Sequence, residues 1–199
     1  MVLHKMFRST LTVSLMTLLS RITGLIRDIA FAQILGSGQV ADAFFVAFRI
    51  PNFFRRIFAE GAFTAGFVPV YAEYESRYPA PQVRLFLDLM LGRLALILLL
   101  FTLLGVLGAP WLVAMIAPGF VEQADKYAAT VSALRFTFPY LFFVSLVAMA
   151  GGILNVRDRF AVPAVTPVLL NLCLIGAVIW AVPFATNKAL TLGIGVFVA

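Results

Sequence analysis

Ionisable residues sit inside stretches otherwise apolar enough for lipid, and this conflict constrains the chain more than any other feature. Residues 10–72 read as two membrane-spanning segments, yet they contain Arg21, Arg27, Asp28, Asp42, Arg49, Arg55, Arg56 and Glu60. An ionised side chain near the bilayer centre costs about 2.5–3.5 kcal/mol on insertion scales. The pattern therefore predicts a polar cavity enclosed by helices. The five interior arginines outnumber Asp28, Asp42 and Glu60. The lining carries a net positive charge, which suits an anionic ligand.

The remainder of the chain supports an all-α, polytopic transmembrane bundle of about six helices. Hydrophobic residues make up 62% and charged residues 12%, which would leave a soluble fold with little polar surface. Apolar runs of spanning length are expected at 10–35, 40–71, 85–108, 128–154 and 161–183, with a sixth from about 188. The chain stops in mid-run, so it is expected to be truncated within that sixth helix. Lys5 and Arg8 mimic the start of a secretory leader, but Arg21 and Arg27 interrupt its apolar core, so the first segment is read as a span. Basic residues fall at alternate ends: Lys5 and Arg8, then Arg77 and Arg84, then Arg157 and Arg159. Positive-inside bias puts these ends and the N-terminus in the cytoplasm. The formal charge of +6 is explained by orientation and a buried anion site, not by nucleic acid. Cys173 is the single cysteine, which excludes an intrachain disulfide.

The second segment is the most informative. Asp42, Arg49, Asn52, Arg56 and Glu60 recur at helical spacing and fall in a stripe under about 90° wide. Phe44, Phe48, Phe54 and Phe58 project largely away from it. Arg56 and Glu60 are four apart and able to pair. Pro51 removes a backbone donor and is expected to bend the helix. A plainer reading makes Arg55 and Arg56 the cytoplasmic end of a shorter helix; it leaves Arg49 unexplained. In the first segment Arg21 and Asp28 share a face, Arg27 lies about 120° away, and Gly24 permits a bend. The planar guanidinium fork matches phosphate oxygens. The alternative is an internal ion pair of Arg21 or Arg27 with Asp28, Asp42 or Glu60, and some such pairing is expected in either case. Arg157-Asp158-Arg159 is read as a topology-setting loop. Phosphate-binding glycine loops, metal-ligand clusters and histidines beyond His4 are lacking, so no enzyme, no metal and no cofactor is expected.

These residues resemble the bacterial MurJ (MviN-type) lipid II flippase family, of the multidrug and oligosaccharidyl-lipid exporter superfamily. The resemblance rests on Ser20-Arg21, Gly24, Arg27-Asp28, the run Ala41 to Phe48, Pro51-Asn52, Arg55-Arg56, Ala59 to Phe63, and Phe67-Val68-Pro69. Ala117 to Phe120, Phe138-Pro139-Tyr140, Ile153 to Asn155 and Arg159-Phe160 extend it over nearly the whole chain. It implies two helical lobes around a central cationic cavity, with residues 1–199 forming the N-terminal lobe. Its implied activity is movement of lipid II, the undecaprenyl-pyrophosphate-linked peptidoglycan precursor, across the bacterial inner membrane by alternating access. It assigns Arg21, Arg27, Asn52, Arg55 and Arg56 to substrate binding, and Asp28, Asp42 and Glu60 to the charge partners of those arginines. The implied partners are lipid II, membrane lipids and a C-terminal lobe. A flippase for another polyprenyl-linked sugar, a related exporter and a non-transporting scaffold are the alternatives.

Overall fold

A computed structural model describes the backbone of residues 2–36, 38–60 and 62–198, and the side chains of 11–36, 38–58 and 65–198. The described residues form helices and connecting turns, with no strand. The helices are α1 (Val2–Leu35), α2 (Gln39–Arg55), α3 (Ala62–Arg77), α4 (Ala80–Leu107), α5 (Ala109–Ile116), α6 (Ala124–Thr137), α7 (Tyr140–Val156), α8 (Ala161–Gly176) and α9 (Lys188–Val198). Three continuous helical stretches, Ala80–Leu107, Ala124–Val156 and Ala161–Phe184, are long and apolar enough to cross a membrane. The bundle is thus all-α and transmembrane in character.

Local chemistry sets the boundaries. Pro79 is extended and Pro81 occupies the first turn of α4, where a missing N–H costs no intrahelical bond. Gly108 ends α4, and α5 begins at once as a separate short helix. The expected span 128–154 is α6 and α7, run together through Phe138-Pro139. Asp158, in the left-handed region at φ 60°, turns the chain from α7 towards α8; aspartate tolerates that conformation better than most residues.

The expected segment 40–71 is helical over its described residues but not a regular α-helix throughout: α2 runs into a π turn at Arg56–Glu60, and α3 begins at Ala62. Pro51 does not end α2, which continues to Arg55. The proline lacks the N–H that would serve the Ala47 carbonyl one turn back. Thr137 of α6 supplies the substitute: its Oγ1 lies 3.2 Å from the Ala47 carbonyl oxygen, buried between the two helices. A freed backbone carbonyl in an apolar bundle needs such a donor.

α2 packs on α6, α6 on α9, and α1 chiefly on α8. Close approach depends on small residues. A Cβ on Gly105 would lie 2.1 Å from the Phe138 ring, and one on Gly193 would lie 3.0 Å from the Ala133 carbonyl. Phe138 and Leu134 fill the core between α2, α4 and α6. Outward, α4 exposes Leu96, Leu99, Leu100, Leu103 and Leu104, a surface suited to hydrocarbon and not to water.

Candidate functional site

One face of α2 opens into a cleft of about 600 Å³, lined by Phe45, Phe48, Arg49, Asn52, Phe53 and Arg56. The spacing of three, four and seven residues places these side chains on adjoining turns. Arg55 donates from Nε to Asn52 Oδ1 at 2.8 Å, which fixes the amide beside the cleft. Arg49 and Arg56 are exposed, and neither has an ion-pair partner among the described residues. Two guanidinium groups beside an amide and three aromatic rings suit an anion attached to an organic body.

The phenylalanines divide differently from the helical projection. Phe44 is fully buried, and Phe54 packs against Phe101 with ring centroids 4.9 Å apart. Phe58 also turns into the core, beside Phe101. Phe48 does not: it stacks on Phe44 at 5.8 Å and forms part of the cleft wall with Phe45 and Phe53. The cleft wall therefore combines two arginines with three aromatic rings.

A second group lies between α1 and α8. Arg27 donates from Nε and Nη2 to Asp28 Oδ1, at 3.0 and 2.8 Å. Its Nη1 donates to Asn171 Oδ1 at 2.8 Å. Asn171 is buried and in turn donates from Nδ2 to the Ser20 carbonyl at 3.1 Å and to Thr23 Oγ1 at 3.3 Å. A Cβ on Gly24 would lie 3.5 Å from Nδ2, an ordinary contact distance, so the amide packs directly on this turn of α1. Asp28 thus pairs with an arginine, as expected. Arg21, by contrast, is exposed on α1.

Asp42 departs from the expected arginine pairing. Its Oδ2 accepts from Lys126 Nζ of α6 at 2.7 Å. The lysine side chain is only 10% exposed, against 58% for Asp42, and its ammonium lies 4.0 Å from the centre of the Phe120 ring. The reason is position: Asp42 lies in the first turn of α2, a turn or more from Arg49. The side chain of Glu60 lies outside the described residues, so its expected pairing with Arg56 does too. Arg157 does more than mark a loop. Its Nε donates to Glu75 Oε1 at 2.7 Å, and that oxygen also accepts from the Tyr71 hydroxyl at 2.9 Å. The Glu75 hydrogen bond pushes the Arg157 pKa up from its already high value, so the guanidinium stays charged.

Sequence reasoning missed Asn171 and Lys126 as partners, and it put Arg49 in the charged stripe without naming it among the binding residues. An amide in the apolar run Leu169 to Leu174 is the signal that could have found Asn171, since such groups need partners inside a membrane bundle. Among the described residues no cluster of His, Cys, Asp or Glu could hold a metal ion.

Residues 31–199 match the protein family described as "Lipid II flippase MurJ". The chain belongs to that family. It is 42% identical over 178 residues to the lipid II flippase MurJ of Burkholderia cenocepacia, covering 89% of this chain and 34% of that protein. It is 41% identical to the probable lipid II flippase MurJ of Haemophilus influenzae, covering 92% of this chain and 37% of that protein. A solved structure titled "Lipid II flippase MurJ, inward closed conformation" aligns with a TM-score of 0.78 at 28% identity, over 94% of this chain and 38% of the other. The chain thus spans about a third of the length of these MurJ relatives.

Proposed function

We propose that this chain forms the N-terminal lobe of a lipid II flippase, which carries the precursor from the cytoplasmic to the outer leaflet of the bacterial inner membrane by alternating access. The observation that carries the reading is a cleft lined by arginine, asparagine and phenylalanine in a chain of the MurJ family. In this reading Arg21, Arg27 and Arg55, which are not among the residues lining the cleft, hold the pyrophosphate, and Arg56 of the cleft wall supports them, with Asn52 orienting Arg55. Arg27 has three of its five N–H groups engaged by Asp28 and Asn171, which leaves two for phosphate oxygens. Asp28 and Glu60 balance the arginines when the site is empty, and Asp42 joins the cavity charge through Lys126.

The work is electrostatic and conformational; no bond is made or broken. Release requires that the two states bind the headgroup unequally, because equal affinity shifts no equilibrium. A C-terminal lobe completes the cavity, membrane lipids surround it, and the basic ends near Lys5, Arg77 and Arg157 face the cytoplasm.

The test is complementation. A host depleted of its own lipid II flippase receives the full-length protein containing these residues, and lipid II in the outer leaflet is measured. Growth with outward exposure is expected, and Arg27→Ala should abolish both while the protein still accumulates in the membrane. Stable insertion without exposure would move the reading to another polyprenyl-linked sugar or to a scaffold. Full transport by Arg27→Ala would remove the named role of that residue.

A further inference from the structure

We infer that Asn171 of α8 is the positioning residue for the Arg27 guanidinium, and so sets how that arginine meets the anionic group of its ligand. The inference rests on the ligand-binding role proposed for Arg27.

Three observations carry it. First, Asn171 is one of the few buried polar side chains, and each end of its amide has a partner on α1. The Nδ2 donor is anchored to the Ser20 carbonyl and Thr23 Oγ1, so the amide cannot rotate without losing both. That anchoring aims Oδ1 at Arg27. Second, Asp28 alone leaves Arg27 underdetermined. It takes Nε and Nη2 through a single oxygen, and its own side chain is 63% exposed and adjacent in sequence. A flexible, solvated carboxylate fixes a guanidinium poorly; a buried amide across a helix interface fixes it well. Third, the neutral amide orients the cation without cancelling its charge. A second carboxylate there would give Arg27 a stronger partner than a phosphate could displace.

A purely structural role would make Asn171 a glue between α1 and α8 and nothing more. The two roles separate in a double-mutant cycle on the full-length protein, reading lipid II affinity in detergent micelles and thermal stability on the same samples. Arg27→Ala should weaken lipid II binding. Asn171→Leu, which restores apolar contact between the helices, should weaken it about tenfold, the effect of removing one hydrogen bond to a charged group. In the Arg27→Ala background Asn171→Leu should then change affinity less than twofold, because the arginine through which it acts is gone. Should Asn171→Leu fail to fold, Asn171→Ala takes its place in the cycle. Additive losses in the cycle, or unchanged affinity on replacing Asn171 while Arg27→Ala binds weakly, would overturn the inference alone. Unchanged affinity in Arg27→Ala would overturn both the inference and the proposed role of Arg27.

Discussion

Replacing Thr137 with valine removes one hydroxyl at nearly constant shape and leaves the Ala47 carbonyl without its donor. Thr137 Oγ1 lies 3.2 Å from the carbonyl oxygens of both Ala47 and Leu134 and shares one proton between them. Leu134 does not suffer, because its carbonyl also accepts the Phe138 N–H at 2.8 Å. Ala47 does, because the residue one turn on is Pro51. Interhelical hydrogen bonds in membrane proteins average about 0.6 kcal/mol, while stranding a buried acceptor costs about 1–3 kcal/mol. Ala47 and Thr137 are fully buried, so Thr137→Val should cost about 1–2 kcal/mol. The cause is identified by Pro51→Ala, which returns an N–H to α2 in register with that carbonyl. In that background Thr137→Val should cost less than about 0.5 kcal/mol, a coupling of about 1 kcal/mol. Reversible unfolding of the full-length protein in mixed micelles measures all four corners of the cycle. An equal cost of Thr137→Val with and without Pro51 would refute the assignment of the hydroxyl to the proline's missing bond.

The packing and the ion pairs yield three further outcomes. Gly105→Ala places a methyl group 2.1 Å from the enclosed Phe138 ring and should cost about 1–3 kcal/mol by overpacking; thermal unfolding checks it, and Phe138→Leu in the same chain should recover part of the loss. At the Asp42–Lys126 pair the two truncations should differ in an unfolding titration, since Lys126 is nearly buried and Asp42 is not. Asp42→Ala leaves a largely shielded ammonium without its carboxylate and should cost about 1–2 kcal/mol, whereas Lys126→Met should cost less than about 1 kcal/mol; equal costs would disprove the asymmetry. Arg157→Ala should lower stability by less than about 1 kcal/mol, and by less still in high salt, because the Arg157–Glu75 pair is partly solvated.

The helical class and three of the expected spans, 85–108, 128–154 and 161–183, were legible because lipid imposes a simple rule: long apolar runs separated by short polar turns. The cationic face of α2 was also legible, since Arg49, Asn52 and Arg56 need only helical periodicity to fall together. The features that stayed hidden depend on contacts between distant helices. Pro51 signals a bend from sequence alone, but the donor that serves the carbonyl it frees, the hydroxyl of Thr137, lies 90 residues later. The π turn after Arg55 adds a residue to its turn, so a projection at constant pitch misplaces the residues beyond it. Phe48 sits near the edge of the charged stripe, where projection alone does not decide between core and cleft. Asp42 had arginines as its obvious sequence neighbours, yet the nearest cation in space comes from α6.

The two long-range polar links also order events during synthesis. Ala47 waits 90 residues for Thr137, and Arg27 waits 144 for Asn171. At about 5–20 residues per second, the first interval lasts about 5–20 s and the second about 7–30 s. Throughout that time the nascent α2 holds an unsatisfied carbonyl and α1 an incompletely partnered guanidinium. Both groups need shelter from hydrocarbon until their partners arrive, whether from water, from lipid headgroups or from the insertion machinery. The polar contacts of α1 are complete only when α8 has been made.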